Sequence, residues 1–303
     1  MMDSVETVET VEKVETICFF GASVTGQKNG YAEKLKSYFK DPTHIFAYGG
    51  MHINDAGICF IDDVLKSNPD YCFIDFFSTA YKNSDKITIE SLDTIVYKFT
   101  QAKCRLIFLF LLKDDHEIRK EFYTFLKAYI EKKHLYYIDL NYYFNYDTTF
   151  CRDNVHTTDY GAEQYALKIN EIFQANKIYI SLPTAIEKTR FCDIKVLEVN
   201  KIFTESVTLE GDCLIVGFYL NIGLKSGILD VNGTKQSIWD IHCHYNRRSI
   251  KIGKKLVKNN LHIKVLQDKI DYSTCRRPIE ETDICKELEI INIYYIGDSL
   301  QVC

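Results

Sequence analysis

Two segments of the chain combine residue types that can perform nucleophilic chemistry. Ser23 stands in Gly21-Ala22-Ser23-Val24-Thr25-Gly26, directly after a short apolar run. A serine hydroxyl attacks an acyl carbon only when a base removes its proton, so a histidine partner is needed. His156 follows Asp153 by three residues, just before a segment with helical apolar spacing. Across one tight turn Asp153 can hold the imidazole Nδ1 while Nε2 accepts the serine proton, so this pattern predicts a Ser-His-Asp triad.

Each segment also has a purely structural interpretation. Gly-X-Ser-X sequences often supply turn or helix-capping serines, and in that role Ser23 would need no base. Thr157, Thr158 or Asp159 would cap the following helix and leave His156 as a surface residue. Of the eight histidines, however, only His156 has both a carboxylate three residues before it and a predicted helix directly after it.

Taken together, Gly21-Ala22-Ser23 and Asp153-Asn154-Val155-His156 resemble the first and fifth conserved blocks of the SGNH, or GDSL-like, hydrolases. The serine and the histidine lie 133 residues apart (156 minus 23), which suits one such domain over residues 17–176. The resemblance implies that Ser23 is the nucleophile, His156 the base and Asp153 the residue that orients the base. It also implies acyl-transfer chemistry through an acyl-serine.

The middle blocks of that family supply the oxyanion hole, and here the resemblance is looser. Gly50 aligns with the second-block glycine, although a shift of one residue would select Gly49. A glycine lets a backbone N–H approach an oxyanion, but a turn that requires positive φ explains it equally well. The third block lacks the family's asparagine, so either Thr79, or Ser78, completes the hole with Ser23 and Gly50, or the hole has fewer side-chain donors. This departure, and Gly-Ala-Ser in place of Gly-Asp-Ser, weakens the expectation of plain esterase activity.

The segment from 17 to 176 alternates short apolar runs with amphipathic stretches, which is typical of parallel strands joined by helices. The expected strands are Ile17–Phe20, His44–Tyr48, Tyr71–Phe76, Arg105–Leu111 and Leu135–Ile138. The expected helices are Gly30–Phe39, Asn54–Lys66, Thr88–Gln101, Asp114–Glu131 and Thr158–Phe173. The alternation predicts a three-layer α/β/α sandwich with a parallel sheet, at whose carboxyl edge ligands bind.

From residue 177 the pattern changes to short alternating strands separated by turn signals at 210–212, 232–233 and 259–260. The expected strands include Ser206–Leu209, Leu214–Leu220, Ser237–His244, Leu261–Leu266 and Leu288–Ile296. We therefore predict an all-β accessory domain over 177–303, built as a sandwich. Residues 1–16 repeat Val-Glu-Thr and are expected to form an acidic, poorly ordered leader.

The accessory domain contains two further candidate sites. His242-Cys243-His244 carries metal-ligand atoms, but alternation along a strand would put Cys243 on the opposite face from the histidines, so no metal is expected. Trp239, Tyr245, Arg247 and Arg248 would give an aromatic and basic surface that suits an acceptor such as an anionic sugar. An ordinary exposed hairpin explains the same residues.

Composition narrows the class of protein. The net charge of −5 offers no basic face, so nucleic acid is not an expected partner. The eleven cysteines include no CxxC pair, which favours free thiols in a reducing compartment. There is no apolar run of about 18 residues and no signal-peptide pattern, so we expect no transmembrane segment and a cytoplasmic location.

Three functions fit these observations: a sugar O-acetyltransferase, a carbohydrate O-acetylesterase, and a glycan-binding protein without catalysis. The first two share the acyl-serine and differ in the acceptor, a sugar hydroxyl or water. The altered third block and the appended β-rich part favour acceptor recognition, so the sequence favours acetyl transfer to a glycan or small-molecule hydroxyl. Acetyl-CoA is then one candidate donor, no tightly bound cofactor is expected, and the identity of the donor and the oligomeric state are left open.

Overall fold

The computed structural model describes residues 14–79, 86–112, 120–183, 186–279 and 284–303, and all structural statements below concern these residues. The predicted leader lies almost wholly outside them. The first half of the chain forms a five-stranded parallel sheet in the order β2-β1-β3-β4-β5. Its strands are β1 Ile17–Gly21, β2 Thr43–Ala47, β3 Tyr71–Asp75, β4 Arg105–Phe110 and β5 Tyr136–Asp139.

Seven helices accompany this sheet: α1 Tyr31–Tyr38, α2 Ala56–Cys59, α3 Ile61–Leu65, α4 Lys86–Gln101, α5 Lys120–Lys132, α6 Leu140–Tyr143 and α7 Asp159–Asn176. Alternate residues of β1 enter two separate cores. Ile17 and Phe19 pack with α1 and α7, whereas Cys18 and Phe20 pack with α2 to α5. The predicted three-layer α/β/α fold with a parallel sheet is therefore confirmed, and we call it the α/β region.

The predicted helix over Asn54–Lys66 is two short helices, because the chain breaks between them at Phe60. Phe60 has φ −101° and ψ 7°, outside the helical range. Its ring stacks on Tyr48 at 3.9 Å and meets Tyr219 edge-on at 5.0 Å. These tertiary contacts override the helical spacing. The start of the predicted helix at Asp114 lies outside the described residues.

The second half of the chain, which we call the β region, is an antiparallel sheet of seven strands. They are β6 Lys195–Phe203, β7 Ser206–Ile222, β8 Ile228–Val231, β9 Thr234–Ser237, β10 Arg247–Lys251, β11 Lys255–Leu266 and β12 Leu288–Val302. Their order is β6-β12-β7-β11-β8-β9, with β10 also paired to β7. The all-β prediction is confirmed, but the strands are joined in one connected sheet rather than in the two sheets of a sandwich.

Long central strands account for that difference. The 17-residue β7 pairs with β12 along one edge and with both β11 and β10 along the other. Two of the expected turns lie inside these strands, since Gly211 and Asn259 face each other in the ladder between β7 and β11. The segment predicted as a strand over Ser237–His244 is instead largely a turn.

The two regions share a hydrophobic core. Phe191, Val216 and Tyr294 are buried in the same cluster as the apolar side chains of α2 to α5. Phe60 also meets Tyr294 edge-on at 5.6 Å. The proposed boundary near residue 176 stays a prediction, but the parts on either side of it are in close contact. None of the described helices is both long and apolar enough to cross a bilayer.

Candidate active site

Ser23 lies just beyond the carboxyl end of β1, which is flanked by β2 and β3. After Gly21 the chain leaves the sheet and turns back on itself: the N–H groups of Thr25 and Gly26 both donate to the carbonyl of Ala22, at 3.1 and 3.2 Å. This turn holds Ser23 half-buried at the edge of the sheet where a parallel α/β fold binds its ligands.

His156 belongs to a loop that closes on itself before α7. Cys151 and Thr157 form an isolated antiparallel bridge, and the N–H of Arg152 donates to the carbonyl of His156 at 2.8 Å. Thr158 is the N-cap of α7, because its hydroxyl accepts the N–H of Gly161 at 2.9 Å. The helix cap and a histidine facing Ser23 therefore coexist in one loop, although the sequence presented them as alternatives.

The three predicted triad residues are within hydrogen-bonding distance of one another. Ser23 Oγ lies 2.9 Å from His156 Nε2. His156 Nδ1 lies 3.0 Å from Asp153 Oδ2 and 3.2 Å from Oδ1. With the imidazole proton on Nδ1, Nε2 is free to accept the proton of Ser23. The catalytic role of the three side chains stays a prediction that only an activity measurement can test.

Local hydrogen bonds keep Asp153 ionised. Its partial burial opposes the charge, but Asp153 Oδ1 accepts the N–H groups of His156 at 2.7 Å and Val155 at 2.9 Å. Together with the attraction of the imidazole, these bonds outweigh burial and hold the pKa of Asp153 below its usual value. A charged carboxylate can orient His156 and stabilise the imidazolium that forms during proton transfer.

Gly50 has the backbone conformation that favours glycine, with φ +68°, whereas Gly49 does not have positive φ. The N–H of Met51 donates to the carbonyl of Tyr48 at 3.0 Å and closes a turn around the two glycines. Within the described residues, the N–H groups of Ser23 and Gly50 donate to no protein acceptor. Both groups are therefore available for an oxyanion, which is the role predicted for them.

The hydroxyls of Thr79 and Ser78 already have other acceptors. Thr79 Oγ1 donates to the carbonyl of Met51, and Ser78 Oγ donates to the buried carboxylate of Asp75. Since a hydroxyl has one proton, neither side chain offers a free donor to an oxyanion in this arrangement. Thr79 instead ties the short 3-10 helix after β3 to the turn that contains Gly50.

The site includes a buried glutamine that the sequence analysis missed. The Gln27 carboxamide bonds to the backbone of Thr157 as both donor and acceptor. Its nearness to Ser23 in sequence was the only signal available, because its partner is 130 residues away.

The β region also reaches the turn that contains Gly50. Arg248, Ser249 and Ile250 of β10 line a crevice together with Gly49 and Gly50. Of the two arginines predicted for this surface, the structure therefore places Arg248, and not Arg247, in the crevice beside the expected oxyanion glycine.

Arg247 is engaged elsewhere in the β region. Its guanidinium is paired with Asp240, which also accepts from Lys251 at 3.3 Å. Trp239 meets Tyr272 edge-on at 5.9 Å, and Tyr245 is half exposed. Among the described residues, no hydrogen bond, ion pair or ring contact joins Trp239, Tyr245 or Arg247 to the triad.

The expected strand geometry of His242-Cys243-His244 is wrong, because these residues lie in a turn. Asp240 shapes that turn by accepting the N–H of His242 at 2.9 Å. The imidazole rings of His242 and His244 are 6.4 Å apart, and Cys243 is buried. No cluster of three or more metal-ligating side chains occurs among the described residues.

No known family and no curated protein matches this sequence. The structure is similar to a two-domain esterase active on acetylated mannans, with a TM-score of 0.65 and 12% identity over 94% of this chain and 92% of that one. The same esterase co-crystallised with mannopentaose matches equally well, over 91% of its chain. A lipolytic protein of the G-D-S-L family from Desulfitobacterium hafniense DCB-2 covers 52% of this chain, with a TM-score of 0.46 and 14% identity.

The whole chain shares its two-part architecture with the mannan-active esterase, and at 12% identity this likeness concerns the fold.

Proposed function

We propose that the protein is a serine-dependent enzyme that removes acetyl groups from carbohydrate hydroxyls through an acyl-Ser23 intermediate. The observation that carries the proposal is the continuous relay from Ser23 Oγ to His156 Nε2 and from His156 Nδ1 to Asp153, at 2.9 and 3.0 Å. The likeness of the complete chain to an esterase active on acetylated mannans supports a carbohydrate ester as the substrate.

In the first half of the reaction, Ser23 Oγ attacks the acetyl carbonyl carbon while His156 Nε2 takes the serine proton. The carbonyl oxygen becomes an oxyanion, and we assign its stabilisation to the N–H groups of Ser23 and Gly50, which donate to no acceptor among the described residues. The bond to the sugar oxygen then breaks, and His156 returns the proton to that oxygen. Acetyl-Ser23 and a free sugar hydroxyl result.

In the second half, an acceptor attacks acetyl-Ser23 with His156 again as the base. Water gives acetate, whereas a sugar hydroxyl gives a new acetyl ester. The side chains of His156 and Asp153 are 25% and 38% exposed, so bulk water reaches the base. The appended β region, which favoured transfer in the sequence analysis, also occurs in an esterase and does not discriminate between acceptors. We therefore propose hydrolysis and keep transfer from acetyl-CoA as the alternative.

Release of acetate from an acetylated mannan by the full chain tests this proposal. Replacing Ser23 by Ala should lower the rate about 10³-fold or more, because the attacking hydroxyl is lost. Ser37→Ala is the matched control, since Ser37 is exposed on α1 and its hydroxyl bonds only to the carbonyl of Lys34. An active Ser23→Ala protein would refute the nucleophile.

Parallel reactions with acetyl-CoA and a deacetylated oligosaccharide separate the two acceptors. Hydrolysis predicts acetate from the ester and no acetyl-oligosaccharide from acetyl-CoA. Formation of acetyl-oligosaccharide that depends on Ser23 would instead show a transferase. Binding of the oligosaccharide without turnover in either reaction would show a glycan-binding protein.

A further inference from the structure

Gln27 is a buried polar side chain that joins the two loops of the candidate site. It is only 9% exposed and lies in the loop that carries Ser23. Its Nε2 donates to the carbonyl of Thr157 at 2.9 Å, while its Oε1 accepts the N–H of Thr157 at 3.1 Å. The hydroxyl of Thr157 makes a third, longer bond to Oε1 at 3.4 Å.

In these bonds the Gln27 carboxamide pairs with the backbone of Thr157 in the way that a peptide group would. A carboxamide presents one acceptor and an adjacent donor, and so can pair with both the N–H and the C=O of a single residue. Thr157 directly follows His156, and Gln27 follows Ser23 by four residues. The pair therefore bridges the serine and histidine loops a few residues from the Oγ–Nε2 contact.

Few other polar contacts hold the histidine loop to the serine loop. Its bridge between Cys151 and Thr157 and its cap at Thr158 are internal to the segment from Phe150 to Gly161. Among the described residues, the hydrogen bonds between this loop and residues 22–27 are those of Gln27 and the Ser23–His156 contact itself.

We propose that Gln27 is a positioning residue that sets the separation of Ser23 and His156. This inference rests on the proposed function, since it assigns a role in proton transfer between those side chains. A shift of about 1 Å in a reacting group can cost on the order of 10²-fold in rate. Gln27 does not reach the substrate in this role, so its loss acts on kcat and leaves substrate binding intact.

The test replaces Gln27 by Met, which fills a similar volume without polar atoms, and by Glu, which places a second oxygen where Nε2 donates to Thr157. For both variants we expect kcat for acetate release to fall about 10- to 100-fold while KM stays within about twofold. Gln174→Met is the matched control, because Gln174 is exposed on α7 and remote in sequence from both loops. It should keep the original kcat.

A second measurement separates positioning from general support of the fold. The rate at which an organophosphonate modifies Ser23 also depends on His156, so it should fall in parallel with kcat in protein that is fully folded by circular dichroism. Two results would overturn the inference: unchanged kcat in a folded Gln27→Met or Gln27→Glu protein, or a loss confined to KM. If one of the two Gln27 variants does not fold while the other folds and keeps its kcat, that result would likewise count against a positioning role.

The Ser23→Ala protein, measured in the same assays, keeps the two proposals distinct. If Ser23→Ala retains activity, the proposed function fails. If Ser23→Ala is inactive while both Gln27 variants keep kcat, only the inference about Gln27 fails.

Discussion

The carboxylate of Asp153 has to stay ionised if it is to orient a catalytic base. Burial raises its pKa, but the N–H groups of His156 and Val155 and the nearby imidazole lower it further than burial raises it. A carboxyl group with a lowered pKa keeps its charge at all pH values above that pKa and loses it only as the pH falls through it. Asp153 is therefore charged across the neutral range.

This charge state predicts a simple pH dependence. We expect kcat/KM to rise with pH along a single limb of unit slope, because only the base, His156, must lose a proton. Initial rates with an aryl acetate between about pH 5 and 9 would measure it. A flat profile would contradict a histidine base, and an acidic limb of slope two would mean that Asp153 also titrates.

The two interpretations of Gly50, an oxyanion donor or a turn residue that requires positive φ, can be separated by substitution. Alanine at φ +68° costs about 1 kcal/mol or somewhat more, but its Cβ would meet no atom within 4 Å. If the N–H of Gly50 stabilises the oxyanion, Gly50→Ala should lower kcat at least about tenfold, because relief of the strained φ would move that N–H away from the oxyanion.

Gly233→Ala controls for the strain itself, because Gly233 also has positive φ and open space but lies in the hairpin between β8 and β9. Thermal melts and acetate release should show a similar loss of stability in both variants and a loss of kcat in Gly50→Ala alone. Equal activity in the two would leave Gly50 as a turn residue.

Residue types and local spacing were sufficient to bring Ser23, His156 and Asp153 to notice, because the chemistry of each is readable within a few positions. Gln27 could not be found in this way. Its contribution depends on a contact with Thr157, which no pattern near residue 27 encodes. The acceptor of the Thr79 proton could not be found from the sequence either, because it is set by how the turn at Met51 packs.

At the scale of elements, sequence patterns predicted the strands of the α/β region well. They predicted less well which side chains of the β region reach the site. β10 shows why. Arg247 pairs across the ladder with Ile222 and Arg248 with Asn221, so neighbouring arginines point to opposite faces. Which face meets Gly50 depends on the register of β10 against β7, and that register is set by long-range pairing.

Arg248 is the residue of β10 that we expect to contact a carbohydrate. It is exposed and lines the same crevice as Gly49, Gly50 and Tyr219. Arg248→Ala should raise KM for an acetylated oligosaccharide several-fold, because guanidinium contacts to sugar oxygens are lost. KM for a small aryl acetate should not change.

Steady-state kinetics on both substrates measure this difference. Arg277→Ala serves as the charge control, since Arg277 is an exposed arginine of the β region outside the crevice. An unchanged KM for the oligosaccharide would exclude Arg248 from recognition, and equal effects on both substrates would indicate damage to the turn at Gly50.

At the scale of the whole molecule, the β region supports the α/β region as well as lying beside its candidate site. Phe60 stands between α2 and α3 and meets Tyr219 and Tyr294 of the sheet. Lys254 Nζ donates to the carbonyl of Asn54 at 2.6 Å, just after the turn that contains Gly50. Burial of this ammonium group lowers its pKa, as expected for a lysine that is buried where the two regions meet. A chain cut near residue 180 would therefore expose apolar core.

Because the two regions share a hydrophobic core, each should contribute to the stability of the other. The substitution Tyr294→Ala tests this expectation in the intact chain. Tyr294 is 2% exposed and belongs to the core cluster that contains Ile61 and Phe76 of the α/β region. Removing its ring should cost about 3 kcal/mol, by analogy with other buried aromatic residues. Because the lost contacts include Phe60, the cost should appear as earlier unfolding of the candidate site together with the sheet.

Calorimetry gives the number of unfolding transitions, and loss of acetate release on heating follows the site itself. We expect one transition in the original protein and one, at lower temperature, in Tyr294→Ala, with activity lost in step. Tyr179→Ala should leave both unchanged, since Tyr179 is an exposed tyrosine that lies outside this cluster. A different result would be two unfolding transitions, with Tyr294→Ala shifting only the transition of the region that lacks the candidate site. That result would show that the regions fold separately and that their contact contributes no stability to the site.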